Sequence, residues 1–212
     1  GHAMHGILTN VTYGSMAGTS GPRDFTEFPA QILEHWASEP EILKSFATHY
    51  QTGEIIPDAL IEKILKAAKF NQGFANTEYL AASLLDMEWH TISSDEELKD
   101  ANKFESNNLK EYGLINEIAP RYRSTYFAHI FSGGYSSGYY SYVHSAVLDS
   151  DGFEAFKETG DVFDPELAKK LREHVYEKGS TEEAMDLYIQ FRGRKPMIEP
   201  LLKVRGLDGG SE

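Results

Sequence analysis

The 212-residue sequence predicts a mostly α-helical fold, read as a single helical domain over residues 1–212. Three observations predict it. Apolar residues recur at helical spacing in two long stretches, Asp58 to Phe70 and Thr77 to Trp89. Capping signals stand where helices should begin. Period-2 alternation, the mark of a half-buried strand, is nearly absent, and Ser124 to Phe131 is the best strand candidate.

The elements follow in chain order. His2 and His5 are three apart, so a helix there sets them roughly one turn apart on one face. The glycines from Gly14 to Gly21 mark a loop. Arg23-Asp24-Phe25-Thr26-Glu27-Phe28-Pro29 reads as a helix start, with acidic residues near the positive end of the dipole. In the first long stretch, Leu60, Ile61, Ile64, Leu65 and Ala68 share a face. In the second, Tyr79, Leu80, Ser83, Leu84, Met87 and Trp89 supply the apolar bulk. Ser94-Asp95-Glu96-Glu97 reads as a capping box opening an acidic helix. Gly133 to Gly138 predicts a loop leading into a helix, on which Tyr135, Tyr139 and Tyr142 fall at i, i+4 and i+7. Asp164-Pro165 places an N-cap before a first-turn proline. Gly179 predicts a helix end, and Ser180-Thr181-Glu182-Glu183 a second capping box. The tail from Gly206 to Glu212 should fray.

Composition excludes several functions. The formal net charge is −13, and no Lys/Arg cluster offsets it, so nucleic acid and anionic membranes are disfavoured partners. There is no cysteine, which removes disulfides, thiolate metal sites and cysteine nucleophiles together. No apolar run approaches the roughly 20 residues that span a bilayer, and Gly1 to Gly6 is no signal peptide.

Three groups of residues could carry chemistry. His2 and His5 could face one ion, although His5 equally could pack or be solvated. Glu27 could be a ligand or simply a helix-terminal carboxylate. Tyr135, Tyr139 and Tyr142 form either core lining or a set of phenols on a glycine-rich loop that donate to a developing oxyanion. The small neighbours Ser136, Ser137, Gly138 and Ser141 leave the rings little bulk to pack against and favour the second reading. His129 lies a few residues before them.

These stretches resemble one family. Gly1-His2-Ala3-Met4-His5-Gly6 resembles the second half of the H-E-F-G-H-A-x-H-G zinc helix of the thimet oligopeptidase and dipeptidyl carboxypeptidase family. Ser20 to Gln31, followed by Glu34-His35-Trp36, resembles its second zinc segment. His129 to Tyr142 resembles its Gly-Tyr substrate loop. Phe191-Arg192-Gly193-Arg194-Lys195-Pro196, then Leu201-Leu202 and Arg205-Gly206-Leu207, resembles the C-terminus of bacterial dipeptidyl carboxypeptidases. The four segments stand in the family's order along essentially the whole chain.

The resemblance implies a multi-helix C-terminal part of a zincin-type catalytic domain. It implies a zinc cofactor and assigns roles. His2 would be a histidine ligand and Glu27 the carboxylate ligand. Glu34 would be an acid beside the metal, orienting a ligand imidazole. Tyr139 and Tyr142 would stabilise the oxyanion and bind substrate. His129, Gly133, Gly134 and Tyr135 would contact substrate on the loop. The partners implied are short peptides, from which the dipeptidyl carboxypeptidase branch removes C-terminal dipeptides, in the cytoplasm or alternatively the periplasm.

One departure matters. The family motif begins with a His-Glu pair that supplies another ligand and the general base. None of the eight histidines here is followed by Glu. The expectation is therefore half a zinc site, with weak or absent zinc and negligible peptidase activity in the isolated chain. The missing N-terminal part of the same protein becomes the expected partner, and exposed apolar surface predicts self-association. The competing reading is a non-catalytic helical module for peptide binding or structure. A serine hydrolase using Ser20 or Ser132 lacks a nucleophile-elbow pattern.

Overall fold

A computed structural model describes residues 1–93 and 100–209. Twelve α-helices are described. The first six are α1 (His2–Leu8), α2 (Arg23–Thr26), α3 (Phe28–Ala37), α4 (Pro40–Phe46), α5 (Asp58–Ala68) and α6 (Gln72–Thr91). They are followed by α7 (Ala101–Glu111), α8 (Ala128–Phe131), α9 (Ser141–Thr159), α10 (Pro165–Leu171), α11 (Ala184–Arg192) and α12 (Glu199–Arg205). Among the described residues there is no strand, and Thr48 and Ile55 form one isolated antiparallel bridge. The mostly helical expectation holds. Among the described residues no helix is long and apolar enough to cross a membrane.

The chain divides into two compact units, residues 1–70 with 143–212 and residues 71–142. In the first, Phe25, Phe28, Ile32, Leu148, Phe153, Phe156, Val175, Leu187, Tyr188 and Phe191 are buried together. In this core Phe25 meets Phe28 at a tilted angle, and Phe153 and Phe156 each meet Trp36 edge-on. A buried carboxylate ties in the C-terminal motif. Asp151 is fully buried and accepts two hydrogen bonds from Arg194, at 2.6 and 3.0 Å, and one from the Tyr188 hydroxyl at 2.6 Å. Burial raises the Tyr188 phenol, and its bond to Asp151 adds to the shift, so the hydroxyl stays a donor. Arg192 pairs with Glu158 through both terminal nitrogens. The Phe191–Arg194 run thus has a structural job.

In the second unit, Ala82, Phe127, Ile130 and Tyr139 form one buried cluster, and Ala81, Leu85 and Leu109 another. The buried Glu105 accepts from the main-chain N–H and hydroxyl of Ser124 and from Arg123. Trp89 donates its indole N–H to the Ser124 hydroxyl at 2.9 Å.

Several local expectations need correction. Ser124 to Phe131 is a 3₁₀ turn followed by α8, not a strand. Phe127 and Ile130 of this stretch are buried in the core of the second unit, whereas Tyr126 and Phe131 are exposed. The stretch from Thr77 to Trp89 is helical inside α6, but the buried face is a different one. Ala81, Ala82, Ser83, Leu85 and Asp86 are buried, while Leu80, Leu84 and Met87 are exposed. On α5 only Ile61 is buried, and Leu60, Ile64 and Leu65 are exposed. Asp164 caps α10 as expected, its carboxylate accepting from the Leu167 N–H at 2.7 Å. Ser180 to Glu183 does not act as a capping box. The N-cap of α11 is Glu183, with no side-chain cap. Glu182 instead pairs with Lys178 and accepts from Gln190. Gly179 does not end a helix directly. It has φ +54° in the turn that follows a π-helical turn, Arg172–Tyr176. The Ser94 to Glu97 box and the last three residues of the tail lie outside the described residues.

Candidate functional site

The first candidate site forms where α1 meets the start of α3. Gly1 permits the approach, because a Cβ there would sit 2.0 Å from the Ala30 Cα. Glu27 links α2 to α3, and its main-chain carbonyl accepts from the N–H groups of Ala30 and Gln31. Its side chain is buried, and Glu27 Oε2 lies 3.2 Å from His2 Nε2. Two ligands on a tetrahedral ion with bonds of about 2.0–2.1 Å stand about 3.3 Å apart. The pair therefore has the spacing and donor chemistry of two ligands on one small cation. Among the described residues no group of three or more His, Asp or Glu side chains could hold a metal.

His5 does not join the pair. It is buried, its ring meets Tyr176 edge-on at 5.9 Å, and neither ring nitrogen has a hydrogen-bond partner in the described structure. Burial, with a smaller contribution from His2, lowers its pKa to about 4. The packed alternative for His5 is the one observed. Glu34 is exposed on α3 and lines a cavity of about 250 Å³ with Gln31, His35, Asp149 and Ser150. The carboxylate that engages an imidazole here is Asp149. It accepts from Gln31 at 2.8 Å and meets His35 Nε2 at 2.7 Å, with the His35 ring stacked on Phe153. Sequence reasoning passed over Asp149, which stands more than a hundred positions from both partners and in no recognisable motif with them.

The second candidate site is the tyrosine loop of the 71–142 unit. The helix expected through Tyr135 and Tyr139 is absent, because α9 begins only at Ser141. Gly134 and Ser137 both take positive φ, +79° and +54°, which no helix accommodates. Gly133 is required by contact, since a Cβ would lie 2.9 Å from the His129 Cα and carbonyl oxygen. The turns nevertheless gather the predicted residues. Tyr135 stacks on Tyr142 at 5.4 Å, Tyr139 meets Tyr142 at 5.5 Å, and His129 stands 5.9 Å from Tyr135 and 5.6 Å from Tyr139.

The expectation that these rings lack bulk to pack against is wrong for Tyr139. Its residue is 2% exposed, enclosed by Tyr79, Tyr122 and Phe127 as well as by Tyr142 and His129. Burial raises its phenol well above the ordinary value, opposed only in part by Arg121, so it stays protonated at neutral pH. Tyr142 is only partly buried and opens α9. Tyr79 and Asp86, both on α6, hold the loop from outside the predicted set. The Tyr79 hydroxyl donates to the Tyr139 carbonyl at 2.5 Å, and Asp86 accepts from the N–H groups of Ser137 and Tyr139. Nothing in the sequence singles them out, since α6 carries several other polar residues.

Comparison with known proteins adds the family. Residues 1–207 match Peptidase family M3. The chain is 43% identical over 209 residues to the dipeptidyl carboxypeptidase of Escherichia coli (strain K12), covering 98% of this chain and 30% of that protein. It is 42% identical to the dipeptidyl carboxypeptidase of Salmonella typhimurium, covering 98% of this chain and 31% of that protein. It is 34% identical to the oligopeptidase A of Escherichia coli, covering 99% of this chain and 31% of that protein. The chain thus spans about 30% of the length of these relatives. The helical architecture and the match along nearly every residue lead to one conclusion: the chain belongs to Peptidase family M3.

Proposed function

We propose that this chain is a C-terminal segment of a zinc-dependent peptidyl-dipeptidase or oligopeptidase that hydrolyses short peptides and removes their C-terminal dipeptides. The observation that carries the reading is the His2–Glu27 pair, two zinc-type donors at ligand spacing in a chain of a peptidase family. The names of the relatives favour the dipeptidyl carboxypeptidase branch. We read both compact units as parts of one catalytic domain, because a single family match runs across them.

His2 and Glu27 would hold the zinc ion, together with donors from the remaining length of the protein. When bound, the ion would supply a Lewis acid and lower the pKa of a bound water toward about 7. The chain's own residues then do the following. Glu27, acidic and buried, contributes charge that neutralises part of the cation in a low-dielectric setting. Glu34, on the exposed side of α3 one helix segment beyond Glu27, would be a nearby acid orienting a ligand imidazole. Tyr142 donates a hydrogen bond to the peptide carbonyl oxygen as negative charge develops there. Tyr139 keeps its proton and packs edge-on against Tyr142. His129 and Tyr135 contact the peptide, and Gly133 and Gly134 let the main chain turn close beside it.

The proton acceptor for the attacking water has no counterpart in this sequence, since no His-Glu pair is present. A missing general base removes roughly 10²–10⁴-fold of rate. The isolated chain is therefore proposed to bind zinc weakly and to lack peptidase activity. The exposed apolar residues of α5 and α6 are proposed to meet the remaining part of the protein, or a second copy when that part is absent.

The test is an exchange. Residues 1–207 replace the matching segment of the Escherichia coli dipeptidyl carboxypeptidase, and release of dipeptides from short peptides is followed with and without chelator. Chelator-sensitive release supports the reading. A folded, soluble chimera that binds zinc but releases no dipeptide and cleaves no internal bond would leave the non-catalytic module as the better account.

A further inference from the structure

Asp86 sits inside the 20-residue helix α6, five residues before its end, and is 0% exposed. A carboxylate so placed costs several kcal/mol unless its oxygens find donors. They do. Oδ1 accepts from the Ser137 N–H at 3.0 Å and Oδ2 from the Tyr139 N–H at 2.9 Å. His90, one turn further along the same helix, brings Nδ1 within 2.8 Å of Oδ1. One carboxylate thus spans two alternate main-chain N–H groups of the tyrosine loop.

The residue between the glycine turn and Tyr139 shows what this grip accomplishes. Ser137 has φ +54°, a left-handed conformation that costs a non-glycine residue about 1–2 kcal/mol. Such a conformation persists only where its surroundings over-determine it. Seven residues before Asp86, on the same face of α6, Tyr79 takes the other end of the loop by donating to the Tyr139 carbonyl. Tyr139 is therefore held by its N–H and its carbonyl from one helix face. Its ring in turn meets Tyr142, which stacks on Tyr135.

We infer that Asp86 is a positioning residue: its buried carboxylate clamps the Ser137 and Tyr139 main chain and so sets where the rings of Tyr135 and Tyr142 stand. The inference rests on the reading above only in giving those rings a substrate role. The clamp itself is a property of the 71–142 unit.

Asp86→Asn keeps the shape but turns one acceptor oxygen into a donor, so one of the two N–H groups loses its partner. In the 212-residue chain, amide hydrogen exchange at Ser137 and Tyr139 should accelerate about 10-fold or more, the worth of a charge-assisted hydrogen bond. Exchange at Leu85 and Leu109 should change far less. Adding Ser137→Gly to Asp86→Asn should restore much of the protection at Tyr139, because glycine removes the left-handed cost. Unchanged exchange at both amides, uniform acceleration throughout residues 71–142, loss of folding, or no recovery with the glycine would each overturn the inference. Exchange needs no peptidase activity, so it decides the clamp even if the chimera is inactive. In an active chimera, Asp86→Asn should lower kcat about 10-fold with zinc content unchanged. Faster exchange at the two amides with an unaltered kcat would confirm the clamp and count against the substrate role of the loop instead.

Discussion

His2 Nε2 stands 3.2 Å from Glu27 Oε2, across the junction of α1 and α3. The contact depends on a glycine at position 1, since any side chain there would collide with Ala30. Two donors make a weak zinc site compared with the three protein ligands of a catalytic one. Equilibrium dialysis of the isolated chain should find zinc affinity at least about 100-fold below that of the chimera, the scale seen when part of a metal site's support is lost. His2→Ala and Glu27→Gln should each lower it further. Stoichiometric, tight zinc in the isolated chain would contradict this.

The two oxyanion candidates should separate. Tyr142 is partly exposed, whereas Tyr139 is enclosed by rings. In the chimera, Tyr142→Phe should lower kcat by about 10²–10³-fold, the usual cost of removing an oxyanion donor. Tyr139→Phe should cost less than about 10-fold, because its hydroxyl lies within the packed cluster. Steady-state kinetics of the two variants decides, and equal large losses would return Tyr139 to the substrate.

Asp151 gives a stability prediction. It is fully buried and held by Arg194 and Tyr188. Asp151→Ala removes the buried carboxylate that serves Tyr188, Arg194 and the nearly buried Arg192, so unfolding in denaturant should show a loss of about 3–5 kcal/mol. Glu158→Ala should cost less, because Glu158 is half-exposed and Arg192 keeps Asp151 3.4 Å away.

His5 gives a pH prediction. Its pKa falls from 6.5 to about 4 in the fold, so the unfolded chain binds the proton more readily between those values. Stability contributed by the neutral ring is complete above about pH 6.5. It declines as the pH falls toward 4, and the decline ceases below that, where His5 is charged in both states. The span corresponds to about 3 kcal/mol. Denaturant midpoints measured from pH 7 to 4 should show this slope, and His5→Leu should flatten it. An unchanged slope in the variant would assign the acid sensitivity elsewhere.

The helices were legible because a 3.6-residue period and caps such as Asp164 are local properties. Which face each helix buries was not. Leu80, Leu84 and Met87 carry the apolar signal of α6, yet the core takes Ala81, Ala82 and Leu85, because the neighbouring elements of the unit pack on that side of the helix. The tyrosine spacing pointed to a helix that left-handed Ser137 and Gly134 forbid, and torsions of that kind leave little trace in residue identity. Family likeness marked His2, Glu27 and the loop. It could not mark Asp86, whose partners in the loop are main-chain N–H groups 51 and 53 positions away and so have no residue type to recognise.

The central claim is that Glu27 of this chain is a zinc ligand. Metal analysis of the chimera by atomic absorption tests it directly. The account predicts one zinc per molecule with Glu27 intact and nearly none in a folded Glu27→Gln variant. A Glu27→Gln variant that keeps one zinc at unchanged affinity would contradict it.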